Sequence, residues 1–284
     1  MRSPLRSYAC VILLVWSAVC SAQTGPAGSM TCAEMENFLR SAKISDVKDT
    51  SRGVTQPKFA TLDDGTHQHR AHIQTVHESQ TMFKGERTTE MNFKDFWEFN
   101  IAGYELAKLL EINMVPPYVE RGKLPGGNHG SISWTVDGLL EADRQKQKLQ
   151  SPNLEEWNHQ MYVLRVFDEL VRDTDPNQTN FIVTPNWQVW RIDFTRAFRT
   201  QKDLLHPKDL IMCDRKLLAN LRKLDKPLLQ EKLKAYLDNS QIDAVLARRD
   251  KIVKFFDDAV AAKGEAAVLF DLPRVGQACG AGLQ

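Results

Sequence analysis

Three polar side chains in the second half of the chain have types and spacing that can do chemistry: Asp175, Asn180 five residues later, and Asp193 thirteen residues beyond that. An amide and a carboxylate are hard oxygen donors of the kind that hold Mg2+ or Mn2+, and a further carboxylate can orient a hydroxyl and accept its proton. Phosphoryl transfer uses that combination, because most of its catalysis lies in holding a cation against phosphates and aiming the acceptor oxygen. Bringing the three together needs a polar loop for Asp175 and Asn180, and a short hairpin that returns Asp193 to the side of Asn180.

The sequence supplies those elements. Residues 154–172 carry Met161, Leu164, Val166, Phe167, Leu170 and Val171 at helical spacing. The polar loop follows, then two apolar strands at 181–184 and 189–192 around Pro185-Asn186, so Asp193 comes directly after a strand. A carboxylate at a buried strand end is costly unless it has a task or a partner. Upstream, Thr31 with Glu34 three residues on predicts a capped helix over 32–42. Strands at 58–62 and 70–76 flank the hairpin turn Asp63-Asp64-Gly65. A helix over 93–110 has Phe93, Phe96, Trp97, Ile101, Tyr104 and Leu110 as its apolar stripe. Strands at 114–119 and 131–136 surround Gly126-Gly127-Asn128-His129-Gly130; no Lys and no helix follow that cluster, so it reads as a hairpin turn rather than a phosphate loop. Amphipathic helical stretches fill 215–236 and 241–263, and the tail from Val268 reads as a capping strand or an unstructured end.

The loop Asp173-Thr174-Asp175-Pro176-Asn177-Gln178-Thr179-Asn180, without a His-Arg-Asp, and Ile192-Asp193-Phe194 followed by Ala197-Phe198, resemble the atypical kinase group of phosphoinositide 3- and 4-kinases, HipA-like serine kinases and secreted Golgi-type kinases. Asp193-Phe194-Thr195 is similar to the Asp-Phe-Gly segment of protein kinases. The resemblance is sharp over 163–198 and architectural over 50–140, and it points to a bacterial-type exported member. It implies an α+β, two-lobed kinase-like fold, with a small β-rich N-lobe over 31–140 and a helical C-lobe over 141–284. ATP would sit between the lobes with 134–139 as hinge, Asp175 would orient a hydroxyl acceptor, and Asn180 and Asp193 would bind Mg2+ or Mn2+. The acceptor stays open among protein, lipid and small molecule.

The first half departs from that pattern. The strand at 70–76 should carry a phosphate-binding Lys and carries Gln74; the following helix should offer a Glu and offers Asn100, with Glu98 two residues off. Two neutral amides can hydrogen-bond phosphate, but about 1.5–3 kcal/mol of charge-assisted interaction is missing. Lys58, after Gly53-Val54-Thr55-Gln56-Pro57, either reaches the same phosphates or is a solvated strand end. Two functions follow: an exported phosphotransferase, or an exported pseudokinase that binds nucleotide or protein without turnover. Nucleotidyl transfer would use the same metal ligands.

Composition narrows the class. The 284 residues are 42% hydrophobic and 26% charged, with 37 Lys and Arg against 36 Asp and Glu, so no broad cationic surface is available for nucleic acid. Arg2 and Arg6 precede an apolar run over 8–19 that ends in Cys20-Ser21-Ala22, the pattern of a signal peptide over 1–22, with a linker over 23–30. The run is shorter than the roughly 20 residues a bilayer span needs, so no stable span is expected after cleavage and the product is secreted or periplasmic. Lipoprotein anchoring at Cys20 is the lesser route, since Val19 is a bulky neighbour for that cleavage. Cys32, Cys213 and Cys279 remain, allowing either one bridge, with Cys32 to Cys279 tying the ends, or three free thiols. Strand alternation separates His67 and His69 from His72, and no Cys or Glu stands at a metal-ligand spacing. Asn177-Gln178-Thr179 is formally a glycosylation sequon inside the proposed loop and carries no inference.

Overall fold

The computed structural model describes residues 30–49, 57–84, 89–175 and 177–273; the expected signal peptide and nearly all of the linker lie outside them. Thr31 and Glu34 exchange hydrogen bonds as a capping box and start α1 (Cys32–Ser41). The β-rich part then runs through β1 (Lys43–Asp49), β2 (Lys58–Asp63), β3 (Gln68–Gln74), the hairpin β4 (His77–Lys84) and β5 (Thr89–Phe96), α2 (Glu98–Leu109), β6 (Tyr118–Leu124) and β7 (Gly127–Trp134). Five strands form one antiparallel sheet in the order β1-β2-β3-β7-β6, and β4-β5 pair separately. The turn between β6 and β7 sets Leu124 opposite Gly127, with Gly126 at φ +95°, a conformation that favours glycine. The glycine cluster is thus a hairpin turn, as its sequence predicts.

The helical part comprises β8 (Leu139–Leu140), α3 (Glu141–Lys146), α4 (Leu154–Val171), β9 (Phe181–Val183), β10 (Val189–Arg191), β11 (Cys213–Asp214), α5 (Arg215–Lys223), α6 (Lys226–Leu233), α7 (Asn239–Lys263), α8 (Glu265–Val268) and β12 (Leu269–Phe270). β8, β9 and β10 make a small sheet, and β11 pairs with β12 in parallel. The stretch over 215–236 divides into two helices because Asp225 caps the second, accepting from Leu228 N–H at 2.9 Å, with Pro227 in its first turn. One apolar core runs through both parts, from Leu39, Leu62, Ile73 and Ile132 across α2 to Phe167, Trp190, Phe194, Leu221 and Ile252.

Two expectations are corrected. The helix expected over 93–110 begins only at Glu98: Phe93 and Asp95 are alternately buried at the end of β5, and Phe96 closes that strand. Strands β1 and β4 escape a search for apolar alternation because most of their side chains are exposed, and β5 escapes it because only Phe93 and Asp95 at its end are buried. Cys32 is disulfide-bonded, which rules out three free thiols; Cys213 is free and buried, and Cys279 lies outside the described residues. No described helix is long and apolar enough to cross a membrane.

Candidate active site

The loop after α4 is built around Arg191, the last residue of β10, whose side chain is wholly buried. Its Nε donates to Asp168 of α4 at 3.1 Å and its Nη2 to Asp173 at the start of the loop. Its Nη1 donates to the backbone carbonyls of Asn180 (3.4 Å), Asp193 (3.1 Å) and Ile192. One guanidinium, with its fixed fork of donors, therefore ties the end of α4, the loop and the segment after β10 into one unit. Two carboxylates, Asp173 buried and Asp168 partly buried, share that single cation. Burial raises both above the ordinary carboxylate range against the pull of Arg191, and Asp173 is pushed to about 6.

Asn180 and Asp193 come together through the backbone: Ile192 N–H donates to Asn180 O at 2.9 Å, extending the β9-β10 pairing by one step. Asn180 Nδ2 donates to Asp175 O at 2.9 Å, which fixes the amide and leaves its Oδ1 without a hydrogen bond among the described residues. Asp193 sits at φ +62°, a left-handed conformation that Asp tolerates better than most residues. Its Oδ1 accepts from Thr195 N–H (3.3 Å) and Thr195 Oγ1 (2.9 Å), while Oδ2 accepts nothing from the described residues. Each residue thus presents one free hard oxygen, the donor set that suits Mg2+ or Mn2+ completed by phosphate. Asp175 is half-exposed, 3.4 Å from Arg196 Nη1, and its N–H donates to Asp173 at 2.9 Å.

From the other side, Gln74 and Asn100 meet. Asn100 Nδ2 donates to Gln74 Oε1 at 2.6 Å and to Ser131 Oγ at 3.2 Å, and Asn100 Oδ1 accepts from Phe194 N–H at 2.7 Å. Asn100 is entirely buried and Gln74 nearly so. The clasp connects β3, α2 and the residue after Asp193 without any charge. Tyr118 adds a second tether, its hydroxyl accepting from Asp193 N–H at 3.1 Å; burial raises the phenol well above its usual range, so it stays neutral.

Lys58 is not brought to this group. It lies opposite Ile73 in the β2-β3 ladder, hence on the opposite face from Gln74, and its ammonium pairs with Asp49 of β1. Lys58 is thus a strand-end lysine with a mostly covered side chain, engaged with Asp49 and not set beside Gln74 and Asn100. His72, two residues before Gln74, does face Asp193: burial lowers its pKa and Asp193 opposes that shift. It packs beside the Phe59 ring at 5.2 Å.

Sequence reasoning also missed the hairpin β4-β5. Phe96 N–H donates to Thr195 O at 2.9 Å, and Glu90 pairs with Arg196 (2.7 Å) and Arg199 (2.5 Å). Asp95 lies against the same segment, near Thr195 and Asp193; burial raises it to about 6. The only advance signal was an acid between two aromatic residues in a stretch read as helix. Among the described residues, no cluster of three or more His, Cys, Asp or Glu is arranged for a metal.

No family model matches the chain, and no curated protein matches it in sequence. Solved structures do. A hydra Fam20 structure with sugar aligns at TM-score 0.61 and 14% identity, over 84% of this chain and 92% of the other. A Golgi casein kinase aligns at TM-score 0.57 and 13% identity, over 87% and 82%. The Golgi casein kinase with Mn/ADP bound aligns at TM-score 0.56 and 14% identity, over 86% and 80%. At such identities the likeness is one of fold, and the fold is the α+β kinase-like one, β-rich in its N-terminal region and helical in its C-terminal region.

Proposed function

We propose that the chain is an exported kinase-like phosphotransferase that moves the ATP γ-phosphate to a hydroxyl acceptor with Mg2+ or Mn2+. The observation that carries this reading is the convergence of Asp175, Asn180 and Asp193, joined by the 2.9 Å bonds from Ile192 N–H to Asn180 O and from Asn180 Nδ2 to Asp175 O. Asn180 Oδ1 and Asp193 Oδ2 would hold the cation, which when bound neutralises charge building on the phosphates. Asp175 orients the acceptor hydroxyl and takes its proton, with Arg196 holding the carboxylate in place. Nucleotide lies between an N-lobe over 31–140 and a C-lobe over 141–284, against 134–139. The Mn/ADP seen in one similar structure accords with this use of the cleft. Export is supported by the signal-like pattern of residues 1–22 and by the disulfide at Cys32, since disulfides persist in oxidising compartments.

The uncharged Gln74-Asn100 clasp favours a second reading, a pseudokinase that keeps nucleotide affinity without turnover. Thermal shift and ATP turnover on the same variants separate the two. Asp193→Ala should abolish the Mg-ATP-dependent rise in melting temperature. Asp175→Ala should keep that rise and lose transfer, because its carboxylate acts mainly in the transition state. A wild-type shift without turnover selects the pseudokinase; a full shift in Asp193→Ala refutes nucleotide-metal binding at this loop.

A further inference from the structure

Two buried arginines differ in what stands against them. Arg191 has Asp168 and Asp173; Arg248 of α7 is wholly buried too, but forms no ion pair among the described residues. Its Nε donates to Leu170 O at 2.8 Å, and its Nη1 to Arg199 O at 2.8 Å and Gln201 O at 2.6 Å. Its Nη2 is buried with no hydrogen-bond partner among the described residues. The carbonyls at the end of α4 favour a cation, which accounts for Nε. They supply nothing for Nη2, and a buried charged donor left unpaired is costly.

A second guanidinium shares the place. Arg172 is the C-cap of α4 at φ +48°, its Nη1 donates to Asp203 O at 2.6 Å, and its Nε is also buried with no partner among the described residues. Both side chains thus lie between the end of α4 and the same stretch, 199–203. Burial first, and then the charge of Arg172, lowers the Arg248 guanidinium to about 9. Glu169 opposes that shift, but its oxygens are taken by Leu205 N–H at 2.7 Å and His206 N–H at 2.5 Å. The Asp203 carboxylate is exposed and pairs with Lys251. Arg172, Arg248 and Lys251 therefore stand against Glu169 and Asp203, and one positive charge is left over.

We propose that a small monovalent anion of the halide class, chloride where chloride is present, binds between Arg248 Nη2 and Arg172 Nε. It gives both leftover donors an acceptor and cancels the surplus charge. A phosphate suits the place less, because it carries a larger charge into a site closed to water and brings more oxygens than there are free donors. The bound anion joins 199–203 to the end of α4, from which Arg172 leads directly into Asp173 and the loop of the candidate active site. The inference does not depend on the phosphotransferase reading.

Thermal unfolding of the full chain, without nucleotide or divalent metal, tests this when sodium gluconate is replaced stepwise by sodium chloride at constant ionic strength. The melting temperature should rise and saturate, by about 2–4 °C once chloride is at tenfold its dissociation constant. Bromide should act likewise. Arg172→Gln, which removes one donor and the surplus charge, should abolish the rise. Crystals of the wild type soaked in sodium bromide should show an anomalous peak in contact with both Arg248 Nη2 and Arg172 Nε. An equal melting temperature in chloride and gluconate refutes the site, and so does a chloride-dependent rise that persists in Arg172→Gln. Should Arg172→Gln not fold, the bromide soak decides: no peak between the two guanidiniums means that they only fasten 199–203 to α4.

Discussion

The Gln74-Asn100 clasp makes a quantitative prediction for restoring an ion pair. In Gln74→Lys alone, the new ammonium faces the Nδ2 of Asn100, donor against donor, and the acceptor that held Nδ2 at 2.6 Å is gone. That leaves roughly 1–3 kcal/mol of unmet polar groups, so the single substitution should not tighten nucleotide. Asn100→Asp alone places an unpaired carboxylate at a site with no solvent exposure, at a cost of about 3–5 kcal/mol. The double variant repairs both. Asp at 100 can still accept from Phe194 N–H, and its other oxygen can accept from Ser131 and from Lys at 74, replacing the contacts Asn100 makes now. A double-mutant cycle by denaturant unfolding should give a coupling of about 3 kcal/mol, leaving the double variant roughly 3 kcal/mol less stable than the wild type and more stable than Asn100→Asp alone. If phosphates occupy this part of the cleft, the double variant should also bind Mg-ATP about tenfold more tightly, equivalent to about 1.4 kcal/mol. Additive effects, with coupling under about 0.5 kcal/mol, would refute the pairing itself. Coupling without tighter ATP would mean that the clasp holds the fold and that phosphates lie elsewhere.

Gly103 of α2 is the seat of the Phe194 ring: a Cβ there would stand 2.8 Å from Phe194 Cδ2, so Gly103→Ala should destabilise by about 1–3 kcal/mol and weaken metal-nucleotide binding by displacing Asp193, measured by unfolding and by thermal shift with Mg-ATP. Asp95 and Asp173 are both raised to about 6 from 3.8, so their protonated forms favour the folded state, and the stability they contribute is present at low pH and lost as pH rises through 6. Between pH 5 and 7 the metal-free protein should lose roughly 1 kcal/mol per group, and Asp173→Asn should remove part of that slope in urea unfolding; an unchanged slope would contradict the buried carboxylate pair around Arg191.

Much of the helical half is legible in the sequence because its signals are local. The apolar spacing of α4, the pair β9-β10 and the spacing of Asp175, Asn180 and Asp193 all lie within forty residues, and a short hairpin leaves little choice in how they meet. Arg191 is not legible in the same way. An Arg between Trp190 and Ile192 reads as a strand position facing solvent, and only the fold reveals Asp168 and Asp173 beneath it. Lys58 misleads for a related reason. Its distance along the chain from Gln74 says nothing about the face it occupies, which the β2-β3 register alone decides. Asp95 was hidden because Phe93, Phe96 and Trp97 fit a helical stripe as well as the end of a strand, and with β5 unrecognised there was no hairpin to carry an acid to Asp193.

The clasp separates two jobs that a Lys-Glu pair performs together. A charged pair at this place ties the helix to the sheet and also presents charge to phosphate. Here Asn100 keeps the tie, and the segment after β10 is held without any ligand: Tyr118 on Asp193 N–H, Asn100 on Phe194 N–H and Phe96 on Thr195 O. At about 1 kcal/mol each, these bonds offset the roughly 1–2 kcal/mol that a left-handed Asp193 costs, so the carboxylate proposed to hold the metal is fixed by the protein alone. The charge has to come from elsewhere. Arg191 is fully buried and committed to Asp168 and Asp173, Lys58 is on the far face with Asp49, and Arg196 pairs with Glu90 and Asp175. With those cations engaged, the proposed transfer would leave neutralisation of the phosphate to the divalent ion. Activity in this chain should therefore depend on the metal more steeply than on any single basic side chain.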